Sequence, residues 1–133
     1  SMALLTEPGE CIVTHYNSDG ERVRHETLVA AVKHDQDKLR YDLIPTYSLE
    51  ALAEVYTIGA RKYDDNNWRK GMKWGRIVGA LLRHLEAWRK GESRDTNDGQ
   101  LHLAAVMWCA ATLLEYERTK VGEDDRADAK QAS

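Results

Sequence analysis

Three stretches of the chain repeat apolar residues with the period of an α-helix. The first covers residues 49–63, where Ser48 offers an N-cap; the second covers 74–91 and the third 98–120. The pattern therefore predicts an all-α bundle built from three helices. The inward positions predicted for the first helix are Leu49, Leu52, Ala53, Tyr56 and Ala60.

The third predicted helix is apolar on nearly every side. Leu103, Met107 and Leu114 share one face, whereas Cys109 and Thr112 lie on the other. One face can pack inside the subunit, and the second must meet a partner chain or line a pocket. We therefore expect a helical homo-oligomer.

The remaining segments carry no helical pattern. Residues 1–33 form an N-terminal segment in which loosely alternating residues around an Asp-Gly turn signal at 19–20 predict a small hairpin or an irregular region. The helical domain covers 34–120. Residues 121–133 are charged and free of aromatic side chains, which predicts a disordered tail.

Composition excludes several classes of protein. A net charge of −3 over 133 residues argues against a nucleic-acid-binding domain, so we expect no stable nucleic-acid complex. The most apolar stretch, 101–114, is too short to span a bilayer, which excludes a membrane partner. Cys11 and Cys109 lack metal-ligand spacing, and together these features favour the cytoplasm.

Positive charge is concentrated in one segment of this acidic chain. Residues 59–75 carry five Lys and Arg side chains beside Tyr63, Trp68 and Trp74. This composition suits phosphate groups and a stacked base, and it equally suits a solvated loop whose tryptophans fill the core.

A polar line extends the apolar face of the second helix. His84 lies on the same helical meridian as Ile77 and Trp88, and so points inward. If the helical path continued past residue 91, Glu92 and Asp95 would fall on the same line. An inward histidine and two carboxylates do not help to pack an apolar core, so this line marks a candidate site.

The third helix adds two more polar groups. Asp98 and His102 are four residues apart, so both would project from one face toward the second helix. One inward histidine is more often a core residue than a ligand, but two imidazoles in register with three carboxylates favour a metal site. Oxygen donors suit Mg²⁺ or Mn²⁺, and Mn²⁺ also accepts imidazole.

Two other functions remain open on the residues alone. His34 and Asp35 form the HD dipeptide found in metal-dependent phosphohydrolases, which would make the protein an HD-type deoxynucleoside triphosphate triphosphohydrolase. Residues 59–75 could instead serve a non-catalytic nucleotide or single-strand binding module. Neither a P-loop, a GxGxxG fingerprint nor a GxSxG elbow occurs in the sequence.

Four segments within residues 34–117 resemble, in order and spacing, the phage dATP/dGTP diphosphohydrolases, which are related to the all-α MazG-type nucleotide pyrophosphohydrolases. They read DQDKLRYDLIP, GARKYDDNNWRKG, LLRHLEAWRKGESRD and GQLHLAAVMWCAATLLEY. The resemblance implies a MazG-like helical bundle, a divalent-metal site and hydrolysis between the α and β phosphates. The implied substrate is a purine deoxynucleoside triphosphate, above all dGTP in phage 2-aminoadenine metabolism, and the implied assembly is a homodimer or homotetramer.

The resemblance also implies roles for individual residues. The expected metal ligands or orienting groups are Glu92, Asp95, Asp98, His84 and His102, of which Glu92, Asp95 and His84 are also expected to be catalytic. The expected substrate-binding residues are Asp35, Lys38, Lys62 and Arg83, together with Asn67 at the base edge and Trp68 on the base face. The paired ExxE and ExxD motifs of the MazG pattern are not reproduced at His84 and His102.

Overall fold

The computed structural model describes residues 3–7 and 10–128, and the chain forms two compact units, residues 1–40 and 41–133. The first unit contains an antiparallel sheet in the order β1 (Ala3–Glu7), β2 (Glu10–Tyr16) and β3 (Arg22–Val29). The N-terminal segment is thus a small three-stranded sheet, which qualifies the all-α prediction.

The predicted hairpin is confirmed as the β2–β3 pair. Its turn is closed by the side chain of Asn17, whose Oδ1 accepts the backbone N–H groups of Asp19 at 3.0 Å and Glu21 at 2.9 Å. An Asn side chain that satisfies backbone donors favours a tight turn. The strand β1 lacks a comparable signal and was not predicted.

Within the described residues of the second unit there are three α-helices, as the periodicity predicts. They are α1 (Thr46–Tyr63), α2 (Trp74–Arg89) and α3 (His102–Thr119), with short 3₁₀ helices at Tyr41–Leu43 and Asn67–Lys70. No helix of the described chain is long and apolar enough to cross a membrane.

The start of α1 differs from the prediction. The helix begins at Thr46, directly after Pro45, and not at an N-cap on Ser48. Pro45 is the N-cap residue, and its side chain makes no capping hydrogen bond. Ala51 is the buried residue of α1, whereas the predicted inward residues Leu49 and Ala53 are exposed.

The core lies mainly between α2 and α3. Trp74 and Ile77 from α2 pack with Cys109 and Tyr116 from α3. The hydroxyl of Tyr116 donates a hydrogen bond to the backbone oxygen of Trp68, which ties the loop before α2 to this core. Cys109 is a buried free thiol, which packs in this core as a small apolar residue.

The two faces of α3 are covered unequally. His102, Cys109 and Tyr116 are buried on one side, whereas Leu103 and Leu114 on another side remain 41% and 68% exposed. This chain therefore covers one apolar face of the helix and leaves the second open.

Residues 121–126 are ordered against the start of α2, which differs from the predicted disordered tail. Trp74 donates its backbone N–H to Glu123 O at 2.9 Å and its indole Nε1–H to Val121 O at 2.9 Å. The Asp125 carboxylate accepts the N–H of Gly75 at 2.7 Å. It thus supplies from a distant segment the cap that Lys73, the N-cap residue of α2, does not provide. Residues 129–133 lie outside the described residues.

Candidate functional site

Two histidines from different helices meet at one end of the bundle. His84 lies late in α2 and His102 is the first residue of α3, and their Nδ1 atoms are 2.9 Å apart. The side chain of His102 is 4% exposed, whereas that of His84 is half-buried. The inward direction of His84 predicted from the helical meridian agrees with this contact.

Glu92 contacts the His102 ring at the nitrogen that does not face His84. Its Oε1 atom lies 2.8 Å from Nε2 of His102, and a carboxylate in this position accepts the Nε2–H hydrogen bond. This bond assigns the hydrogen of a neutral His102 ring to Nε2 and leaves the Nδ1 lone pair facing His84. Carboxylates that hold metal-binding histidines in this way fix both the tautomer and the ring orientation.

Asp95 completes the group. His84, Asp95 and His102 each offer one ligand atom, and these atoms all lie within 4.8 Å of one another. Asp95 Oδ1 also accepts the backbone N–H of Asn97 at 2.8 Å, which fixes the carboxylate in the turn. Two imidazole nitrogens and one carboxylate thus converge in a geometry that a single cation can use.

The route by which Glu92 and Asp95 reach this group differs from the prediction. The helix α2 ends at Arg89 and does not continue past residue 91, because Gly91 adopts φ +105°. That positive φ belongs to a region that L-residues rarely adopt, so glycine ends the helix here. The loop then returns to α3 through hydrogen bonds from the Asp95 N–H to Gln100 O and from the His102 N–H to Ser93 O.

Asp98 is not part of the group, and its predicted place on the third helix is wrong. The helix α3 begins at His102, and Asp98 lies in the preceding turn. Its carboxylate accepts hydrogen bonds from the backbone and side-chain nitrogens of Gln100, at 2.9 Å and 3.2 Å. Asp98 therefore shapes the turn before α3.

The Arg94 and Gln100 contacts that hold this turn were not anticipated. Arg94 donates to the backbone oxygen of Gly99 at 2.9 Å and pairs with Leu101 in an isolated antiparallel bridge. Gly99 has φ +74°, and glycine in a loop was the one local signal for this reversal. No periodic pattern in the sequence predicts that Arg94 pairs with Leu101.

Arg83 and Lys62, predicted to bind phosphate, lie in different places. Arg83 is an exposed residue of α2 directly before His84. Lys62 is exposed at the end of α1, where its Nζ lies 5.1 Å from the ring centroid of Tyr63.

Asn67 and Trp68 line a separate cavity of about 950 Å³ between α1, the loop after it and α3. The Trp68 ring is packed against the core, and the Arg69 guanidinium lies 4.4 Å from its centroid. The cavity lies on the α1 side of α3, around Trp108 and Ala111, whereas His102 faces α2. The described chain therefore does not bring these two residues to the histidine group.

Asp35, Lys38 and the HD dipeptide belong to the first unit, where all of these side chains are exposed. Among the described residues, the cluster with metal-ligand spacing is the one at His84, and neither His34 nor Asp35 belongs to it. This weakens the HD-type alternative.

One titratable group in the core has a strongly raised pKa. Burial raises the pKa of the Cys109 thiol to about 11, and the nearby positive charge of Arg83 opposes this shift only in part. Cys109 is therefore a neutral thiol at physiological pH and does not act as a nucleophile.

The geometry can be compared with known proteins. Residues 29–126 match the family model described as dATP/dGTP diphosphohydrolase, N-terminal. The chain belongs to this family. The matched range contains the whole histidine and carboxylate group and ends at Arg126, the last residue of the segment that closes on α2.

A curated relative is the dATP/dGTP diphosphohydrolase of Salmonella phage PMBT28. It is 34% identical over 98 residues, which cover 74% of this chain and 33% of the relative. The chain thus spans about a third of the length of that relative. No solved structure matches the chain.

Proposed function

We propose that the protein is a metal-dependent deoxynucleoside triphosphate pyrophosphohydrolase, which converts a purine deoxynucleotide, dGTP above all, to its monophosphate and pyrophosphate. The observation that carries the proposal is the convergence of His84, Asp95 and His102 within 4.8 Å, in a chain of the dATP/dGTP diphosphohydrolase family. Production of dGMP would supply phage 2-aminoadenine nucleotide synthesis.

The donor set fits a divalent cation and favours Mn²⁺ over Mg²⁺. Two imidazole nitrogens and one carboxylate are available, and Mg²⁺ prefers oxygen ligands throughout, whereas Mn²⁺ accepts imidazole. His84, Asp95 and His102 would hold the cation. When bound, the cation would neutralise charge on the triphosphate and lower the pKa of the attacking water.

Other residues have positioning roles in this proposal. Glu92 keeps the Nδ1 lone pair of His102 directed into the site through its 2.8 Å hydrogen bond to Nε2. In this proposal Arg83, an exposed residue directly before His84, contacts a phosphate oxygen. The attacking water releases a proton to solvent and forms a new bond to the α-phosphorus, the bond between that phosphorus and the α–β bridging oxygen breaks, and pyrophosphate leaves.

The proposed assembly is a homodimer or homotetramer. The support is the uncovered face of α3, where Leu103 and Leu114 are exposed. Exposed apolar side chains grouped on a bundle of this size are typical of a subunit interface. Light scattering coupled to size exclusion measures the mass directly, and a monomer at all concentrations would contradict this part of the proposal.

The reaction is tested with purified protein and the four deoxynucleoside triphosphates in Mn²⁺, in Mg²⁺ and in EDTA. Ion-exchange chromatography of the products is expected to show purine monophosphate and pyrophosphate, with more in Mn²⁺ and none in EDTA. Nucleoside and triphosphate would indicate the HD-type reaction, and no turnover of any substrate would favour a binding module.

Isotope labelling identifies the bond that breaks. In water enriched in ¹⁸O, attack at the α-phosphorus places the label in the monophosphate, which mass spectrometry detects. Label found in pyrophosphate instead would place the attack at the β-phosphorus and overturn the proposed step.

A further inference from the structure

A second cavity, of about 350 Å³, lies at the same end of the bundle as the histidine group. Tyr47 at the start of α1 and Trp88 at the end of α2 contribute aromatic walls, and the small residues Ala51 and Ala104 also line the cavity. Ala51 and Ala104 are buried, whereas Tyr47 and Trp88 are 68% and 45% exposed. The cavity thus combines a small-residue floor with two accessible aromatic side chains.

This cavity is adjacent to the proposed metal site. Ser93 and Leu101 line it, and each is a direct neighbour in sequence of a site residue, Glu92 and His102 respectively. The backbone oxygen of Ser93 also accepts the N–H of His102 at 3.0 Å, so the cavity wall and the α3 histidine are fixed to each other.

From these contacts we infer that the cavity beside Trp88 binds the purine base of the substrate, while the phosphates extend to His84, Asp95 and His102. The inference rests on the proposed function and gives that site its base-recognition surface. It assigns the base to Tyr47 and Trp88, and not to Trp68 and Asn67 in the larger cavity.

Charge favours the smaller cavity for this role. Among the described residues that line it, none carries a charged side chain. The larger cavity is lined by Asp64, Asp65 and Glu115, with Arg69 as the opposing charge. Because a nucleoside triphosphate carries several negative charges, the carboxylates of the larger cavity repel it.

The chemistry of the smaller cavity suits purines of both kinds. Aromatic side chains stack on any base, and a purine offers the larger stacking surface. The polar side chains Ser48 and Ser93 carry hydroxyl groups, which both donate and accept hydrogen bonds, and so can pair with the amino group of adenine or the carbonyl of guanine. A volume near 350 Å³ falls in the range of small-molecule sites.

The test measures base binding without turnover. The probe is 2-aminopurine deoxyribonucleoside 5′-monophosphate in Mg²⁺, whose fluorescence falls when the base stacks on an aromatic ring. The matched variants are Trp88→Ala in the smaller cavity and Tyr63→Ala in the larger one, since Tyr63 is also an exposed aromatic residue that lines its cavity. Trp88→Phe keeps an aromatic ring, and circular dichroism checks that each variant is folded.

Loss of Trp88 is expected to weaken binding about tenfold, because one base–aromatic stack contributes about that factor. Tyr63→Ala should change the dissociation constant by less than about twofold, and Trp88→Phe by less than about threefold. Weaker binding in Tyr63→Ala with no change in Trp88→Ala would place the base in the larger cavity and overturn the inference.

Two further outcomes also overturn it. Binding unchanged in both alanine variants would exclude either aromatic as the base platform. A lower oligomer mass in Trp88→Ala with an unchanged dissociation constant would assign the cavity to a subunit interface. Because the probe is a monophosphate, its binding is read even if the wild-type protein releases no pyrophosphate, so failure of the proposed function is seen separately.

Discussion

His84 and His102 approach each other through their Nδ1 atoms, 2.9 Å apart, a distance that fits one hydrogen shared between the two nitrogens. Glu92 makes Nδ1 of His102 the acceptor in this contact, because the Glu92 carboxylate accepts the Nε2–H of the same ring. The two rings and Asp95 therefore present lone pairs to one point once His84 carries its hydrogen on Nε2.

Asp95 and Asp98 allow a matched comparison of two carboxylates in one turn. Asparagine at either position still accepts the local backbone N–H through its amide oxygen, from Asn97 or Gln100, but it loses the charge and the second acceptor oxygen. Asp95→Asn is expected to lower kcat by at least about 100-fold, because a ligand charge is lost, whereas Asp98→Asn should remain within about threefold of wild type. Steady-state pyrophosphate release measures both, and equal losses would restore Asp98 to the metal site.

Glu92 is expected to act through His102. Glu92→Ala removes the acceptor of the 2.8 Å hydrogen bond and should weaken Mn²⁺ binding by about 10–100-fold. Glu92→Gln keeps an oxygen acceptor and should lose less. Calorimetric titration with Mn²⁺ gives the affinities, and identical behaviour of the two variants would mean that the ring orientation does not depend on this bond.

Mn²⁺ should stabilise the folded protein. A ligand that binds only the native state raises the free energy of unfolding by about 2.7 kcal/mol at a hundred times its dissociation constant. Thermal unfolding followed by circular dichroism is expected to show a higher Tm in Mn²⁺ than in EDTA. The shift should disappear in His84→Ala, and its persistence there would place the stabilising metal elsewhere.

Asp125 is expected to stabilise α2 through the cap on Gly75. Asp125→Ala leaves this N–H without its 2.7 Å acceptor and should cost about 1 kcal/mol of unfolding free energy. Urea denaturation compares it with Asp128→Ala, a change at an exposed residue two positions beyond Arg126. Equal stability of the two variants would show that solvent replaces the cap without loss.

Cys109 gives a prediction with a definite pH direction. Burial raises its pKa from 9.0 to about 11, so the neutral thiol stabilises the fold up to about pH 9, and this contribution is lost as pH rises through 11. At pH 8 the Cys109 thiol should react with a thiol reagent about 100-fold more slowly in the folded chain than in the unfolded chain, as measured with Cys11→Ser in both so that Cys109 is the only thiol. Cys109→Ala should lose stability less steeply above pH 9, and parallel pH profiles of the two proteins would contradict the assignment.

The helices and the inward histidine could be predicted because both depend on local periodicity. Apolar spacing located α1, α2 and α3, and the meridian through Ile77 placed His84 on the side facing α3. The apolar residues of a helix recur every three or four positions, so a single sequence is enough to predict where the helices lie and which way they face. The match to the dATP/dGTP diphosphohydrolase family agrees with the resemblance of the four segments.

The parts that were missed depend on contacts between distant residues. Glu92 and Asp95 reach the histidines through a turn that starts at Gly91, and a glycine indicates a break without giving the direction of the returning chain. The Asp98 carboxylate accepts a hydrogen bond from the Gln100 N–H within the same turn. The charged composition of residues 121–126 is typical of disorder, yet their backbone groups pair with Met72 and Trp74.

Because residues 121–126 pack against the start of α2, they also fix the point at which an added C-terminal segment would leave the bundle. This segment meets the bundle at Trp74, ten residues before His84, and an α-helix rises about 15 Å over that distance. A reporter or an additional domain fused after the described residues would therefore be tethered at the end remote from the histidines. Gly122 enforces this exit path, since a side chain there would meet the backbone oxygen of Met72.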